Sequence, residues 1–174
     1  MKIVTLCTGN VARSVMLGYM LTTLAEANGQ QWSIRTTGTH VIEGSAMSAR
    51  TRDALMKLED LGVHHFSGHR SRQLNDEDVA WGDVILASEA ANVHFVRAHH
   101  PDGAPKAVIL QQFVREAPLD LPLEEQVRYV ASLEPLAYFD VEDPAGKDQA
   151  AYDACAANLW EMAQVFATLV TEEL

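Results

Sequence analysis

The chain has 174 residues, 48% of them apolar, and a formal net charge of −11. This length suits one domain with a sizeable core, and the negative charge argues against a nucleic-acid partner, whose phosphates require a basic face. No stretch approaches the roughly 18 apolar residues of a membrane span, and the strand-like start leaves no room for a signal peptide. Two cysteines, Cys7 and Cys155, do not suggest a disulfide framework, so we expect a cytoplasmic protein.

The first predicted strand and the first predicted helix flank the most informative stretch of the chain. Residues 3–6 are rich in β-branched side chains and predict a short buried strand. A helix is predicted to begin at Arg13 or Ser14, because apolar residues then recur at helical spacing, namely Leu17, Met20, Leu21 and Leu24. A strand, a glycine-containing turn and a helix N-terminus form an anion cradle, since backbone N–H groups converge there and the helix dipole adds positive potential.

Cys7 lies at the rim of this cradle, and five residues separate it from Arg13. Positive potential favours the nucleophilic thiolate form of a cysteine, and a guanidinium group can hold two oxygens of a phosphate-like group. The pattern therefore predicts attack on a tetrahedral oxyanion. The alternative is a cysteine that serves as a small buried hydrophobe, which leaves Gly9, Asn10 and Arg13 unexplained.

The rest of the chain alternates between strand and helix patterns. Strands are predicted over 32–37, 84–87 and 107–110, and helices over 48–61, 89–98, 123–133 and 152–169. This order predicts a single α/β domain over 1–174, with a four-stranded parallel sheet, helices on both faces and a phosphate-binding loop after the first strand. Residues 111–122 contain two prolines and predict a loop. The segment 111–142 is either an insertion that forms a lid or a solvated surface excursion.

The run from Cys7 to Ser14 resembles the signature of the low-molecular-weight protein tyrosine phosphatase family, in which a Cys, five residues, an Arg and a Ser or Thr enclose Gly-Asn. Other similar stretches are Thr37-Gly38-Thr39, the segment with His69, Arg70, Arg72 and Leu74, Val84-Ile85-Leu86 with Asn92, and Asp143-Pro144. The resemblance implies a phosphomonoester hydrolase that acts on an aryl phosphate or a phosphorylated protein through a cysteinyl-phosphate. It implies no cofactor and no metal, and it makes 111–142 a family-variable segment.

The resemblance also implies a role for each matching residue. Cys7 would be the nucleophile, Arg13 would clamp the transition state, and Asp143 would act as general acid and then as base. The phosphate-binding residues would be Thr8, Gly9, Asn10, Val11, Ala12, Arg13 and Ser14. Pro144 disfavours a helical conformation at Asp143 and holds it extended. Judged from the residues alone, three neighbouring acidic residues compete for the role of proton donor, namely Asp140, Glu142 and Asp148.

Departures from the family pattern bear on redox behaviour and on substrate. Ala12 stands where many members carry a second, protective cysteine, and Cys155 falls on the apolar face of the last helix, where we expect it to be core. Ala145-Gly146 follows Asp143-Pro144 where many tyrosine-directed members carry aromatic residues that wall the pocket. A candidate basic patch for acidic substrates consists of Arg50, Arg52, Arg70 and Arg72.

Two other functions are compatible with parts of the pattern. The same fold and loop serve thiol-dependent arsenate reductases, but residues 80–95 contain no cysteine, so only a version with an external thiol or redox-protein partner remains. A non-catalytic phosphate-binding module is disfavoured because nucleophile, clamp and candidate acid are all present. Two histidine groups lack the spacing of metal ligands: His64, His65 and His69, and His99, His100 and Asp102.

Overall fold

The computed structural model describes residues 1–171 and contains one parallel sheet. Its strands are β1 (Lys2–Cys7), β2 (Ser33–Gly38), β3 (Val84–Ala87) and β4 (Ala107–Ile109). They lie in the order β2-β1-β3-β4, and every neighbouring pair is parallel. The predicted four-stranded parallel sheet is confirmed. The buried, mostly apolar runs of β1, β3 and β4 are typical of strands in a sheet that is covered on both faces.

Seven α-helices within residues 1–171 cover the two faces of this sheet. They are α1 (Arg13–Ala27), α2 (Ala49–Met56), α3 (Asp76–Trp81), α4 (Ala90–His99), α5 (Leu110–Glu116), α6 (Leu123–Ser132) and α7 (Gln149–Thr171). One core cluster joins Ile3 and Leu86 to α1, α2, α5, α6 and α7. The other joins Val4 and Ile85 to α3 and α4, so helices flank both faces as predicted. In the part of the chain described, no helix is long and apolar enough to cross a bilayer.

The first turn of α1 is fixed against the sheet by close contacts. Thr5 Oγ1 donates a hydrogen bond to the carbonyl of Ser14 at 2.8 Å, which ties the start of α1 to the middle of β1. Further along, a Cβ atom on Gly18 would lie only 2.5 Å from the Thr36 methyl, so α1 approaches β2 more closely than any other residue would permit. These contacts determine where the loop between β1 and α1 can lie.

The structure corrects one loop prediction and one helix prediction. The loop predicted over 111–122 is wrong in its first part, because α5 begins directly after β4 and buries Leu110 and Phe113 in the core, with the two prolines after its end. The helix predicted over 48–61 ends at Met56 and is followed by a 3₁₀ turn at Glu59–Leu61. Ser48 caps that helix, since its Oγ accepts from Thr51 N–H at 3.0 Å.

The segment 111–142 crosses the molecule from one end of the sheet to the other. After α5 the chain reaches α6, where Val127 lines a surface pocket together with Met1 and Val84 at the amino ends of the strands. It then returns to the carboxyl ends, where Val141 N–H donates to the Ser88 carbonyl at 2.8 Å. That this segment is a family-variable insertion or a lid stays a prediction.

Candidate active site

The loop after β1 holds Cys7, Asn10 and Ser14 in one buried hydrogen-bonded group. Ser14 Oγ lies 3.0 Å from Cys7 Sγ, and Asn10 N–H donates to the same sulfur at 3.3 Å. Asn10 Nδ2 donates to Ser14 Oγ at 3.0 Å, so the single hydroxyl hydrogen of Ser14 remains for the sulfur. Two donors directed at one sulfur can stabilise negative charge that develops on it during a reaction, because hydrogen bonds to a charged acceptor are the stronger ones.

Asn10 takes a backbone conformation that few residues adopt, and the segment 69–72 supports it. Its φ is 53°, in the left-handed region that Asn tolerates better than other side-chain-bearing residues. Asn10 Oδ1 accepts from Arg72 N–H at 3.0 Å, and the Asn10 carbonyl lies 2.8 Å from His69 Nε2. The bond from Arg72 fixes the orientation of the Asn10 amide, so its Nδ2 faces Ser14.

His69 is a neutral donor in this arrangement. Burial lowers the pKa of His69, the hydrogen bond to Asn10 acts in the opposite direction, and the positive charge of Arg70 lowers the pKa further. A neutral ring can bond a carbonyl only through a protonated nitrogen, so Nε2 carries the hydrogen. His69, one of the clustered histidines, thus supports the loop. Within residues 1–171, no group of three or more His, Cys, Asp or Glu side chains could hold a metal ion.

Arg13 is 2% exposed, and its guanidinium group faces two carboxylates. Nη1 and Nη2 donate to the two oxygens of Glu89 at 2.9 and 3.2 Å, and Nη2 also donates to Asp143 Oδ2 at 2.8 Å. Nη1 makes a further bond of 3.1 Å to the Val141 carbonyl. Burial by itself lowers the pKa of Arg13, but the hydrogen bonds and charge of Glu89, together with the charge of Asp143, raise it above its ordinary value.

Glu89 is a site residue that sequence reasoning missed. Besides its bonds to Arg13, it accepts from the Thr8 hydroxyl at 2.7 Å and from Asn92 Nδ2 at 3.3 Å. Burial raises the pKa of Glu89, yet the bonds from Arg13 and Thr8 outweigh burial and leave that pKa below its ordinary value. A signal was present, because Glu89 closely follows β3, and the carboxyl end of β3 lies beside that of β1.

Of the four acidic residues considered as proton donor, Asp143 is the one that reaches Arg13. Its Oδ2 bonds Arg13, its Oδ1 accepts from Ala145 N–H at 3.0 Å, and its side chain is 43% exposed. An aspartate that is fixed on one side and open to solvent on the other can exchange a proton with a bound ligand. Ala145 and Gly146 after it are exposed small residues and build no aromatic wall.

The three competing acidic residues have structural partners elsewhere. Asp140 Oδ1 accepts from Ala90 N–H at 2.7 Å at the start of α4. Glu142 has a side chain that is 85% exposed and is paired with Lys147. Asp148 Oδ1 accepts from Ala151 N–H at 3.1 Å near the start of α7. Of these four carboxylates, Asp143 is the one in contact with Arg13.

Two threonines support the loop from outside this group. Thr39 N–H donates to the Cys7 carbonyl at 2.9 Å, and Thr51 Oγ1 donates to the Val11 carbonyl at 2.9 Å, so β2 and α2 hold the outer side of the loop. Cys155 is a core residue of α7, as predicted. Burial raises the pKa of its thiol to about 12, which makes Cys155 a poor nucleophile.

Comparison with known proteins identifies relatives of this architecture. The family model for low-molecular-weight phosphotyrosine protein phosphatases matches residues 2–125. A protein-arginine-phosphatase of Geobacillus stearothermophilus is 29% identical over 113 residues, which are 65% of this chain and 71% of that protein.

Solved structures share the fold over almost the whole chain. A low-molecular-weight protein tyrosine phosphatase from T. tengcongensis matches with a TM-score of 0.76 and 25% identity over 95% of this chain and 97% of that one. An arginine phosphatase from Geobacillus stearothermophilus matches with a TM-score of 0.75 and 24% identity over 99% of this chain and 94% of that one. Since the family model spans well over half of its residues, this chain belongs to the low-molecular-weight phosphotyrosine protein phosphatase family.

Proposed function

We propose that this cysteine-dependent phosphatase hydrolyses its substrate through a phosphate covalently held on Cys7, with Arg13 and the loop N–H groups binding the phosphate and Asp143 moving the proton. The observation that carries the proposal is that Arg13, buried beside the loop, contacts Asp143, while the sulfur of Cys7 is held by Asn10 and Ser14 in the same loop.

In the first step the Cys7 thiolate attacks phosphorus. An S–P bond forms, the bond from phosphorus to the leaving group breaks, and protonated Asp143 gives its proton to the leaving atom. The four Nη hydrogens of Arg13 are taken by Glu89, Val141 and Asp143 before substrate binds. Protonation of Asp143 removes its negative charge and weakens its bond to Arg13, which frees an Nη2 hydrogen for a phosphate oxygen.

In the second step a water molecule attacks the cysteinyl-phosphate. Asp143 takes the proton of the water, the S–P bond breaks, and Cys7 leaves as a thiolate. The Ser14 hydroxyl and the Asn10 N–H lie beside that sulfur and stabilise the negative charge as it returns. The same carboxyl group thus serves as acid and then as base.

The leaving group is either an aryl oxygen or a guanidine nitrogen. A phosphoarginine side chain is the second candidate, because a relative with 29% identity is a protein-arginine-phosphatase, and the sequence neighbours of Asp143 include the exposed carboxylate of Glu142 and the small residues Ala145 and Gly146. Phosphotyrosine remains the first candidate from the family description. A comparison of kcat/KM on matched phosphotyrosine and phosphoarginine peptides distinguishes the two, since the preferred leaving group gives the higher value.

Arsenate reduction with an external thiol stays an alternative prediction. Cys155 is buried and the pKa of its thiol is raised to about 12, so it is poorly suited to act as a second, resolving thiolate for an adduct on Cys7. Arsenate reduction therefore needs a small thiol or a redox protein. Arsenite formation by the wild-type protein with such a donor, at a rate that exceeds its hydrolysis of aryl phosphate, would favour this alternative.

The catalytic roles are tested by hydrolysis of an aryl phosphate with three variants. Cys7→Ser is expected to reduce turnover to background, and Asp143→Asn to reduce kcat by about 10² to 10⁴, the usual worth of a positioned acid and base. Glu142→Gln is the matched control, because Glu142 neighbours Asp143 in sequence yet its exposed pair with Lys147 does not touch Arg13. Full activity of Cys7→Ser would refute the covalent mechanism, and full activity of Asp143→Asn would refute the role of Asp143.

A further inference from the structure

A surface pocket of about 480 Å³ lies along the outer edge of β2, away from the chemistry proposed for the loop. Its charged lining includes Arg35, Arg70 and Arg72, and we refer to it as the three-arginine pocket. Of the basic patch suggested by the sequence, Arg70 and Arg72 line this pocket, whereas the two arginines of α2 do not. Arg70 and Arg72 are therefore parts of a concave site that also includes a strand.

Positive charge is in excess in the three-arginine pocket. Buried Asp78 accepts hydrogen bonds from Arg35, at 3.0 Å, and from Arg72. Glu77 lies 3.3 Å from Arg35 with a side chain that is 80% exposed. Arg70 is exposed and donates to two backbone carbonyls, and the described residues give it no carboxylate partner. Three guanidinium groups facing two carboxylates favour an anion on a molecule whose net charge is −11.

The free edge of β2 supplies backbone donors to the same place. Gly38 N–H donates outward to the Arg72 carbonyl at 3.0 Å. Because the direction of the N–H groups alternates along a strand, the backbone N–H groups of Ile34 and Thr36 also point outward from the sheet. Both residues line the pocket on that side. Among residues 1–171, neither of these two N–H groups has a hydrogen-bond acceptor.

We propose that the three-arginine pocket binds a phosphate group other than the one being hydrolysed. Guanidinium forks match phosphate oxygens in pairs, and outward N–H groups of a strand edge donate to the remaining oxygens. The phosphate is either free inorganic phosphate or a second phosphorylated side chain on the substrate protein. The proposal does not depend on the catalytic roles assigned to Cys7 and Asp143.

A phosphate in this pocket acts on the loop through Asn10. The walls of the pocket include His69 and Arg72, which bond the Asn10 carbonyl and the Asn10 Oδ1 respectively. The N–H and Nδ2 of the same Asn10 bond Cys7 Sγ and Ser14 Oγ. An anion that joins residues 70–72 to β2 restrains this segment, so occupancy changes the binding of ligands by the loop.

The test is a titration of the wild-type protein with inorganic phosphate, followed by the amide chemical shifts of the pocket and of the loop. We expect two separate saturations, one at the amides of Arg35, Thr36 and Arg70 and one at those of Gly9 and Asn10. The Arg70→Ala, Arg72→Ala variant should raise the Kd at the pocket amides by about ten-fold or more, because two charge-assisted donors are lost. The loop amides should still saturate.

Two further variants keep this result interpretable. Arg70→Ala alone removes an exposed side chain whose bonds within residues 1–171 are to backbone carbonyls, so it is expected to fold and to raise the Kd of the pocket. The exposed pair Arg50→Ala, Arg52→Ala on α2 is the control for loss of two charges, and should leave that Kd unchanged. Absence of a separate saturation at the pocket amides, or an equal loss of affinity in the α2 control, would overturn the proposal.

The source of the phosphate is identified with peptides that carry one or two phosphorylated residues. A higher kcat/KM for the doubly phosphorylated peptide, abolished by Arg70→Ala, assigns the pocket to the substrate. Equal values, with the separate saturation by inorganic phosphate retained, assign it to free phosphate. If the proposed phosphatase mechanism is wrong, Cys7→Ser keeps its turnover while phosphate still saturates the pocket amides. If the pocket proposal is wrong, the pocket amides show no saturation while the effects of the Cys7 and Asp143 variants on turnover remain.

Discussion

Arg13 is a buried cation that needs negative partners in the folded protein even before a substrate arrives. Glu89 supplies two of its bonds and also holds the Thr8 hydroxyl, so one carboxylate fixes both the guanidinium and the first residue after Cys7. A side chain that is 20% exposed can hold such a pair without the full cost of burying two charges. Glu89 therefore positions Arg13 and does not itself need to touch phosphorus.

The Glu89→Gln variant tests this positioning. Loss of the carboxylate removes two charge-assisted bonds and leaves Arg13 with Asp143 as its remaining carboxylate partner within residues 1–171. We therefore expect kcat/KM for an aryl phosphate to fall about 10- to 100-fold, the scale of a misplaced binding group. The loss should appear largely in KM, since the nucleophile is untouched. Steady-state kinetics provide the measurement, with Glu142→Gln as the control, and wild-type kinetics for Glu89→Gln would contradict the role.

His69 links the stability of the protein to pH. Burial holds the pKa of His69 below its ordinary value of 6.5, so as the pH falls the unfolded chain binds a proton before the folded chain does. The contribution of neutral His69 to the free energy of unfolding is complete above about pH 6.5. It is lost as the pH falls through the pKa that His69 has in the folded protein.

Urea unfolding of wild type and His69→Gln at several pH values measures this contribution. Gln can donate to the Asn10 carbonyl but does not titrate, so the variant should show a smaller loss of stability between about pH 7 and pH 5. The exposed neighbour His65→Gln serves as the control for removal of one histidine. Parallel pH profiles for wild type and His69→Gln would show that His69 makes no such contribution.

At the scale of the elements, the fit of α1 on β2 decides the position of the loop. Gly18 lies where the two elements touch, and the Thr36 methyl that an added Cβ would meet belongs to a stiff β-branched side chain. Helix propensity favours Ala over Gly by about 1 kcal/mol. The contact at 2.5 Å outweighs this gain, because overpacking a tight interface shifts backbone as well as side chains.

We therefore expect Gly18→Ala to lower the free energy of unfolding by about 1–3 kcal/mol in urea denaturation. Gly68→Ala is the matched control, since nothing lies within 4 Å of its added Cβ and its φ is not in the left-handed region. An increase in stability for Gly18→Ala would mean that α1 and β2 can separate without cost.

The whole molecule carries a charge that its phosphate sites must overcome. A net charge of −11 repels acidic ligands at long range, and salt screens this repulsion over about 10 Å at 0.1 M. Local cations, namely Arg13 at the loop and the arginines at the edge of β2, can attract phosphate at short range. The negative net charge therefore opposes the encounter with an acidic ligand, whereas the local arginines favour its binding.

This balance predicts an unusual salt dependence. For an acidic phosphopeptide, kcat/KM should rise several-fold between about 0.02 and 0.2 M NaCl, because screening removes the long-range repulsion first. A phosphopeptide with basic flanking residues should show the opposite trend. Stopped assays of both peptides across this range make the measurement, and a fall of kcat/KM with salt for the acidic peptide would contradict the prediction.

The sequence by itself determined the individual strands and the candidate phosphate loop, because each of these depends on residues that are adjacent in the chain. A β-branched run, Cys7, Gly9-Asn10 and a helical repeat from Arg13 specify strand, turn and helix in order. The same local reasoning failed at α5, where a short helix follows β4 without a turn signal and is stabilised by burial of Leu110 and Phe113.

Only the tertiary structure decided which distant side chains meet that loop. The choice of Asp143 over Asp140 and Glu142 as the carboxylate on Arg13 depends on how residues 137–143 return to the carboxyl end of β3. Glu89 and His69 are brought in by β3 and by the segment beside β2, and no spacing in the sequence encodes those distances. Contacts across a sheet are set by strand order and packing, which arise when the whole core forms and not within any single element.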